Sequence, residues 1–155
     1  MSFIIQGLSP EPYAHLFGLS DEALAEHGVY RYTVDAKPGY PDRVEMRDGD
    51  VGETMLLVNH VSMEKPTPFH ASHAIFVREG TKEAYKAVDD VPEVMHRRLL
   101  SLRAFDADGM MVDAELAQGD AIAFALDRLL DGEGIAHVDA HYALRGCFAA
   151  RVTHA

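Results

Sequence analysis

Leu100-Ser101-Leu102-Arg103-Ala104-Phe105-Asp106-Ala107-Asp108-Gly109-Met110-Met111-Val112-Asp113-Ala114-Glu115-Leu116 decides the fold. Leu100 to Phe105 is an apolar run of strand length, Met111 to Leu116 is a second one, and Asp108-Gly109 sets a turn between them. Strands joined this tightly run antiparallel, because parallel neighbours need a crossover of a dozen or more residues. Ile135 to Tyr142 and Cys147 to Thr153 repeat the pattern around Leu144-Arg145-Gly146. Val44 to Met46 and Glu53 to Val61 do the same around Arg47-Asp48-Gly49-Asp50. Further strands are expected at residues 2–6, Val29 to Asp35 and His73 to Arg78.

Helices are fewer. Ser9-Pro10 and Ser20-Asp21-Glu22 supply hydroxyl caps and first-turn acids, and Gly28 stops the second of these helices. Asp89-Asp90-Val91-Pro92 opens a third, with Val91, Val94, Met95 and Leu99 as its apolar stripe. The fourth runs from Asp120 to Asp131 on Ile122, Leu126, Leu129 and Leu130. The Pro-rich segments at residues 37–41 and 64–69 are loops. The expected fold is therefore α+β, a mixed and mainly antiparallel sheet with a few helices packed on it. No linker or repeat divides residues 1–155, which read as one domain.

Composition narrows the function. With 14 Lys+Arg against 25 Asp+Glu the net charge is −11, which repels phosphate backbones and anionic lipid. Neither a nucleic acid nor a membrane is an expected partner. Cys147 is the only cysteine, so an intrachain disulfide and a thiolate cluster are both excluded. The first basic residue is Arg31, and the opening apolar run is only Phe3-Ile4-Ile5, too short for a signal peptide. The cytoplasm is the expected location. No phosphate-cradling glycine loop is present, and no cofactor is expected.

Several local patterns carry chemistry. Phe105-Asp106-Ala107-Asp108-Gly109-Met110 resembles the nucleophile loop of haloacid-dehalogenase-like phosphatases, in which Asp-x-Asp-Gly-Thr follows a strand. That loop opens its fold, whereas here two-thirds of the chain precedes it, and Met110 stands in place of the threonine. The turn reading of Asp-Gly is therefore preferred. A calcium loop is also excluded, because the glycine comes two positions too early.

His137-Val138-Asp139-Ala140-His141 places two imidazoles and a carboxylate on one strand face. Neighbours at i and i+2 stand roughly 6.5–7 Å apart and the two histidines about 13 Å apart. A metal there needs another ligand from elsewhere, with His70 or His73 the candidates. Cys147 is either a core filler or a nucleophile activated by His141. Arg103, inside an apolar strand, calls for a partner: an acid such as Asp106 or Asp139, or the carboxylate or phosphate of a ligand. Arg78 is a weaker case of the same kind. Ser72 and Ser101 lie in no nucleophile elbow, and His15, His27 and His154 read as surface residues.

Taken together, Pro38-Gly39-Tyr40-Pro41 with Arg43, Ala74-Ile75-Phe76-Val77-Arg78, Arg98 to Asp106, Gly109-Met110-Met111, and His141 with Gly146-Cys147 resemble one family. It is the bacterial domain-of-unknown-function family 1203, whose members have about this length. The resemblance implies a single-domain bacterial protein without an established activity. This chain has Asp42 where the family pattern often has cysteine, and Tyr142 where it has asparagine. The first departure argues against a paired-thiol role, and the second alters any polar pair made by His141 and its neighbour.

The leading functional expectation is a pocket lined by Arg43, His73, Arg103, Asp106 and His141 that holds a small anionic molecule. A competing reading is an enzyme with His141 or His73 as acid–base, partnered by Asp106, Asp139 or Cys147, with metal assistance from His137, Asp139 and His141. A third is a structural homodimer in which these groups neutralise one another. The first two require Arg103, Asp106 and His141 to converge on one cavity.

Overall fold

A computed structural model describes residues 2–155. Nine strands and four short helices follow one another along these residues. They are β1 (Phe3–Gln6), α1 (Glu11–Ala14), α2 (Asp21–Glu26), β2 (Tyr30–Thr33), β3 (Thr54–Met63), β4 (Ala71–Arg78) and β5 (Lys86–Val88). Then come α3 (Glu93–His96), β6 (Leu100–Asp106), β7 (Met111–Ala117), α4 (Ala121–Leu130), β8 (Ile135–Tyr142) and β9 (Phe148–His154).

The strands form two sheets instead of the single one expected. Six lie in the order β5-β1-β9-β8-β6-β7 and three in the order β2-β3-β4, and every ladder between them is antiparallel. The β6–β7 and β8–β9 hairpins form where the sequence places them. The fold is thus sheet-dominated, with helices as small additions. No helix among the described residues is long and apolar enough to cross a membrane.

One expected hairpin does not form. Val44 to Met46 does not pair with Glu53 to Val61, because both edges of β3 are taken, by β2 (Tyr30↔Leu57) and by β4 (His60↔His73). Residues 34–53 instead make a folded connection with isolated bridges at Pro41↔Asp48 and Asp42↔Phe76. Asp42, wholly buried, does there what a ladder would have done. Its carboxylate accepts from the amides of Val44 (3.2 Å), Glu45 and Arg78 (2.7 Å). The α3 helix is also shorter than expected. It ends at His96, and Leu99, 44% exposed, leads directly into β6 instead of joining the apolar stripe.

Two cores result. In the first, Ile122, Leu126 and Leu129 of α4 press on Leu100, Leu102 and Ala104 of β6 and on Val138 and Ala140 of β8. Each large side chain so buried contributes roughly 1.5–3 kcal/mol. In the second, Tyr13 of α1, Leu16 just after it and Leu24 of α2 cover Leu56 and Val58 of β3, Ile75 and Val77 of β4, and Phe148 of β9. Leu56↔Val77 and Val58↔Ile75 are cross-strand pairs. Two residues further along the same face comes His60↔His73, and two beyond that, Ser62. The face of the small sheet changes from apolar to polar where it reaches the large one.

Candidate functional site

Alternation along β6 and β8 builds the floor of the site. Leu100, Leu102, Ala104, Val138 and Ala140 enter the α4 core, which sends Ser101, Arg103, Phe105, His137, Asp139 and His141 to the opposite face. Register sets Ser101 beside His141, Arg103 beside Asp139 and Phe105 beside His137. Above them, Ser62 and Met63 of β3, Ala71 of β4 and the loop residues Pro68, Phe69 and His70 close a cavity of about 220 Å³. Arg103, Phe105, Met111, Asp139 and His141 complete its lining. A second cavity of about 460 Å³ lies on the other side of Ser62 and Met63, with Leu8, His60, Lys65, Asp106, His137 and Arg151 among its walls.

Asp139 is only 1% exposed, and Arg151 of β9 claims both of its oxygens, at 2.8 and 3.0 Å. His137 Nε2 stands 3.6 Å from the same carboxylate, too long for a hydrogen bond, and has no other partner. Burial raises the Asp139 pKa, but His137 and Arg151 together bring it below its ordinary value. The carboxylate is therefore ionised and already neutralised.

That leaves its cross-strand neighbour without an acid. Arg103 spends Nε on Ser101 Oγ at 3.1 Å, and its two Nη groups make no hydrogen bond among the described residues. No carboxylate among those residues lies within 4 Å of it, whereas Arg31, Arg47, Arg78, Arg97, Arg98, Arg128 and Arg151 each have one. Burial lowers the Arg103 pKa, and the nearby Asp139 charge only partly opposes this. The guanidinium remains charged and is under-compensated.

Burial and nearby arginines favour the neutral form of three histidines around it, His141, His73 and His60. His141, 3% exposed, makes a 3.0 Å hydrogen bond between Nδ1 and the Gly146 carbonyl. A carbonyl can only accept, so Nδ1 carries the proton and Nε2 carries a lone pair. Burial and then the Arg103 charge push the ring's pKa down to about 4. His73 meets it edge to face, with ring centroids 4.9 Å apart, and is likewise lowered by burial and by Arg103. His60 hydrogen-bonds Tyr13 Oη through Nδ1 at 3.2 Å and is lowered by burial and by Arg151.

Of the residues singled out in the sequence, Arg103 and His141 line one cavity together with Asp139, and His73 backs His141. Arg103 pairs with neither Asp106 nor Asp139 as an internal ion pair. Asp106 faces the second cavity, and its Oδ1 is held by the amides of Asp108 (2.9 Å) and Met110 (3.0 Å) as the carboxylate of the β6–β7 turn. Arg43 lies outside both linings and is 1% exposed. It donates to the carbonyls of Pro41 and Phe148 (2.8 Å) and to Cys147 Sγ (3.1 Å), and stacks over the Tyr142 ring. Cys147 packs against the α4 core with Tyr142, on the side of the sheet opposite the cavity, so it does not work with His141. Arg78 is paired with Glu45. No group of three side chains among the described residues could hold a metal ion, even with His70 on the same cavity.

Ser62, Phe69, Arg151 and His60 are site residues that the sequence reading passed over. A signal was present in Leu56-Leu57-Val58-Asn59-His60-Val61-Ser62-Met63, where polar residues interrupt an apolar strand as Arg103 interrupts β6.

No curated protein and no solved structure is significantly similar to the chain. The model of one family does match, over residues 39–154, a span that holds every residue lining the smaller cavity. On that match the chain belongs to the family described as protein of unknown function (DUF1203).

Proposed function

We propose that this domain binds a small carboxylate-bearing molecule in the Arg103 cavity. The observation that carries this reading is a half-buried guanidinium with both Nη groups free, whose neighbouring acid is consumed by another arginine. A buried charge without a partner is costly, and a ligand carboxylate, bidentate on the two Nη groups, relieves that cost. Charge counting favours a monoanion. The cavity offers one uncompensated positive charge, His141 and the His73 behind it are held neutral, and Asp139 stands in the wall, so a phosphate dianion would bring one negative charge too many. Met63, Pro68, Phe69, Phe105 and Met111 provide apolar walls for the rest of the molecule. A cavity of about 220 Å³ suits a small molecule.

Acid–base catalysis is less well supported. A base whose conjugate acid has a pKa of about 4 draws protons weakly near neutral pH, and Cys147 lies across the sheet. Thermal denaturation with a panel of small carboxylates, and with inorganic phosphate as the contrast, tests the proposal. A carboxylate should raise Tm with dose, by an amount equivalent to about 2.7 kcal/mol at a hundred times its Kd, and Arg103→Met should abolish the effect. If no carboxylate raises Tm, or Arg103→Met keeps the rise, the reading is wrong.

A further inference from the structure

The polar inventory of the cavity says more about the ligand than its charge. Arg103 supplies donors. Asp139 has its charge matched by Arg151, which donates to each of its oxygens. Ser62 Oγ directs its proton to the Ala71 carbonyl at 3.5 Å and keeps its lone pairs. His141, with Nδ1 bound to Gly146 in the β8–β9 turn, keeps the Nε2 lone pair on the other side of a ring that lines the cavity. No donor among the described residues satisfies that nitrogen. The wall therefore holds one anchor for an anion and, at Ser62 of β3 and at His141 diagonally across the β6–β8 ladder from Arg103, acceptor lone pairs.

Resting on the carboxylate reading above, we infer that the ligand is a hydroxy acid, its carboxylate on Arg103 and its hydroxyl donating to His141 Nε2. A plain carboxylate of the same size would satisfy the guanidinium and, by displacing water from the cavity wall, leave His141 Nε2 without a donor, an arrangement that a polar site penalises. An amino acid fits less well. Its ammonium would stand beside the Arg103 guanidinium, with the one nearby carboxylate already taken. The diagonal positions of Arg103 and His141 put their Cβ atoms somewhat less than about 7–8 Å apart, close enough for one small ligand to meet both side chains.

The test is calorimetric titration of the full chain with matched series: propanoate against lactate, butanoate against its 2-, 3- and 4-hydroxy forms, and alanine as the ammonium control. One hydroxylated acid should bind at least tenfold more tightly than its unsubstituted partner, and His141→Phe should reduce that ratio to near one. The 15N resonance of His141 Nε2 in the wild-type protein gives a second readout that does not depend on the variant folding. It should shift on adding the hydroxy acid and stay in place on adding the plain one. Equal binding of plain and hydroxylated acids, both lost in Arg103→Met, would overturn the hydroxy-acid assignment and leave the carboxylate site standing. A preference that persists in His141→Phe, or an Nε2 signal that does not move, would overturn the role of His141. Binding of no acid at all would remove the carboxylate reading itself.

Discussion

The two faces of β6 and β8 differ in how their burial is balanced. Toward α4, Leu100, Leu102, Ala104, Val138 and Ala140 are each 0% exposed and need nothing but one another. Toward the small sheet, Asp139 and His141 are nearly as inaccessible, yet polar groups gain from burial only when paired. The protein pairs Asp139 with Arg151 and His141 Nδ1 with Gly146, and then stops, leaving the Nη groups of Arg103 and the His141 Nε2 open. One face is a solved packing problem. The other is solved only in part, and the unsolved part surrounds a cavity.

If that contrast is right, the α4 face should dominate stability. Leu126→Ala, at a fully buried position of the first core, should cost about 2–5 kcal/mol in urea unfolding with an unchanged m-value. A loss under about 1 kcal/mol would mean that the polar face carries the fold, and the contrast would be reversed.

The polar face should instead show itself in pH. His141 titrates at about 4 when folded against about 6.5 when unfolded, so between those values the unfolded chain binds more protons. Stability then rises with pH through this window and falls as the protein is acidified from about 6.5 to 4. The effect is on the order of 3 kcal/mol, and His60 and His73, shifted in the same direction, add to it. Unfolding free energies at a series of pH values, for wild type and His141→Phe, measure the slope. A flat wild-type profile, or an equally steep one in the variant, would remove His141 from the buried face.

The same contrast explains what could be read in advance. The β6–β7 and β8–β9 hairpins and α4 were legible because their signals are local, a turn dipeptide or a stripe within one helix. The false hairpin at Val44 to Met46 used the same logic, and failed because β3 is paired on both edges, while Asp42, a single buried side chain, holds the Val44 and Glu45 amides. That there are two sheets depends on long-range pairing of β3 with both β2 and β4, which no local pattern records. In the site, Arg103 and His141 were legible as polar residues on apolar strands. Which acid Arg103 would meet was not. Asp139 goes to Arg151 through the β8–β9 register, and Asp106 turns back into its own loop. His60 and Ser62 look like the wet side of a strand until the large sheet is placed against them.

The smallest expected effect separates the two faces most sharply. Arg103→Met replaces an under-compensated guanidinium with an apolar chain of similar length, on a cavity wall that Phe105 and Met111 also line. The lost hydrogen bond to Ser101 Oγ is worth about 1 kcal/mol, while removing a half-buried charge without an acid partner returns a similar amount. Ligand-free stability in urea should therefore stay within about 1 kcal/mol of wild type, or rise slightly, although the residue sits in the middle of a central strand. Retained stability together with lost carboxylate binding is the pattern of a group kept for a ligand. A loss beyond about 2 kcal/mol without ligand would make Arg103 a structural group, and the polar face would then be a second, differently built core.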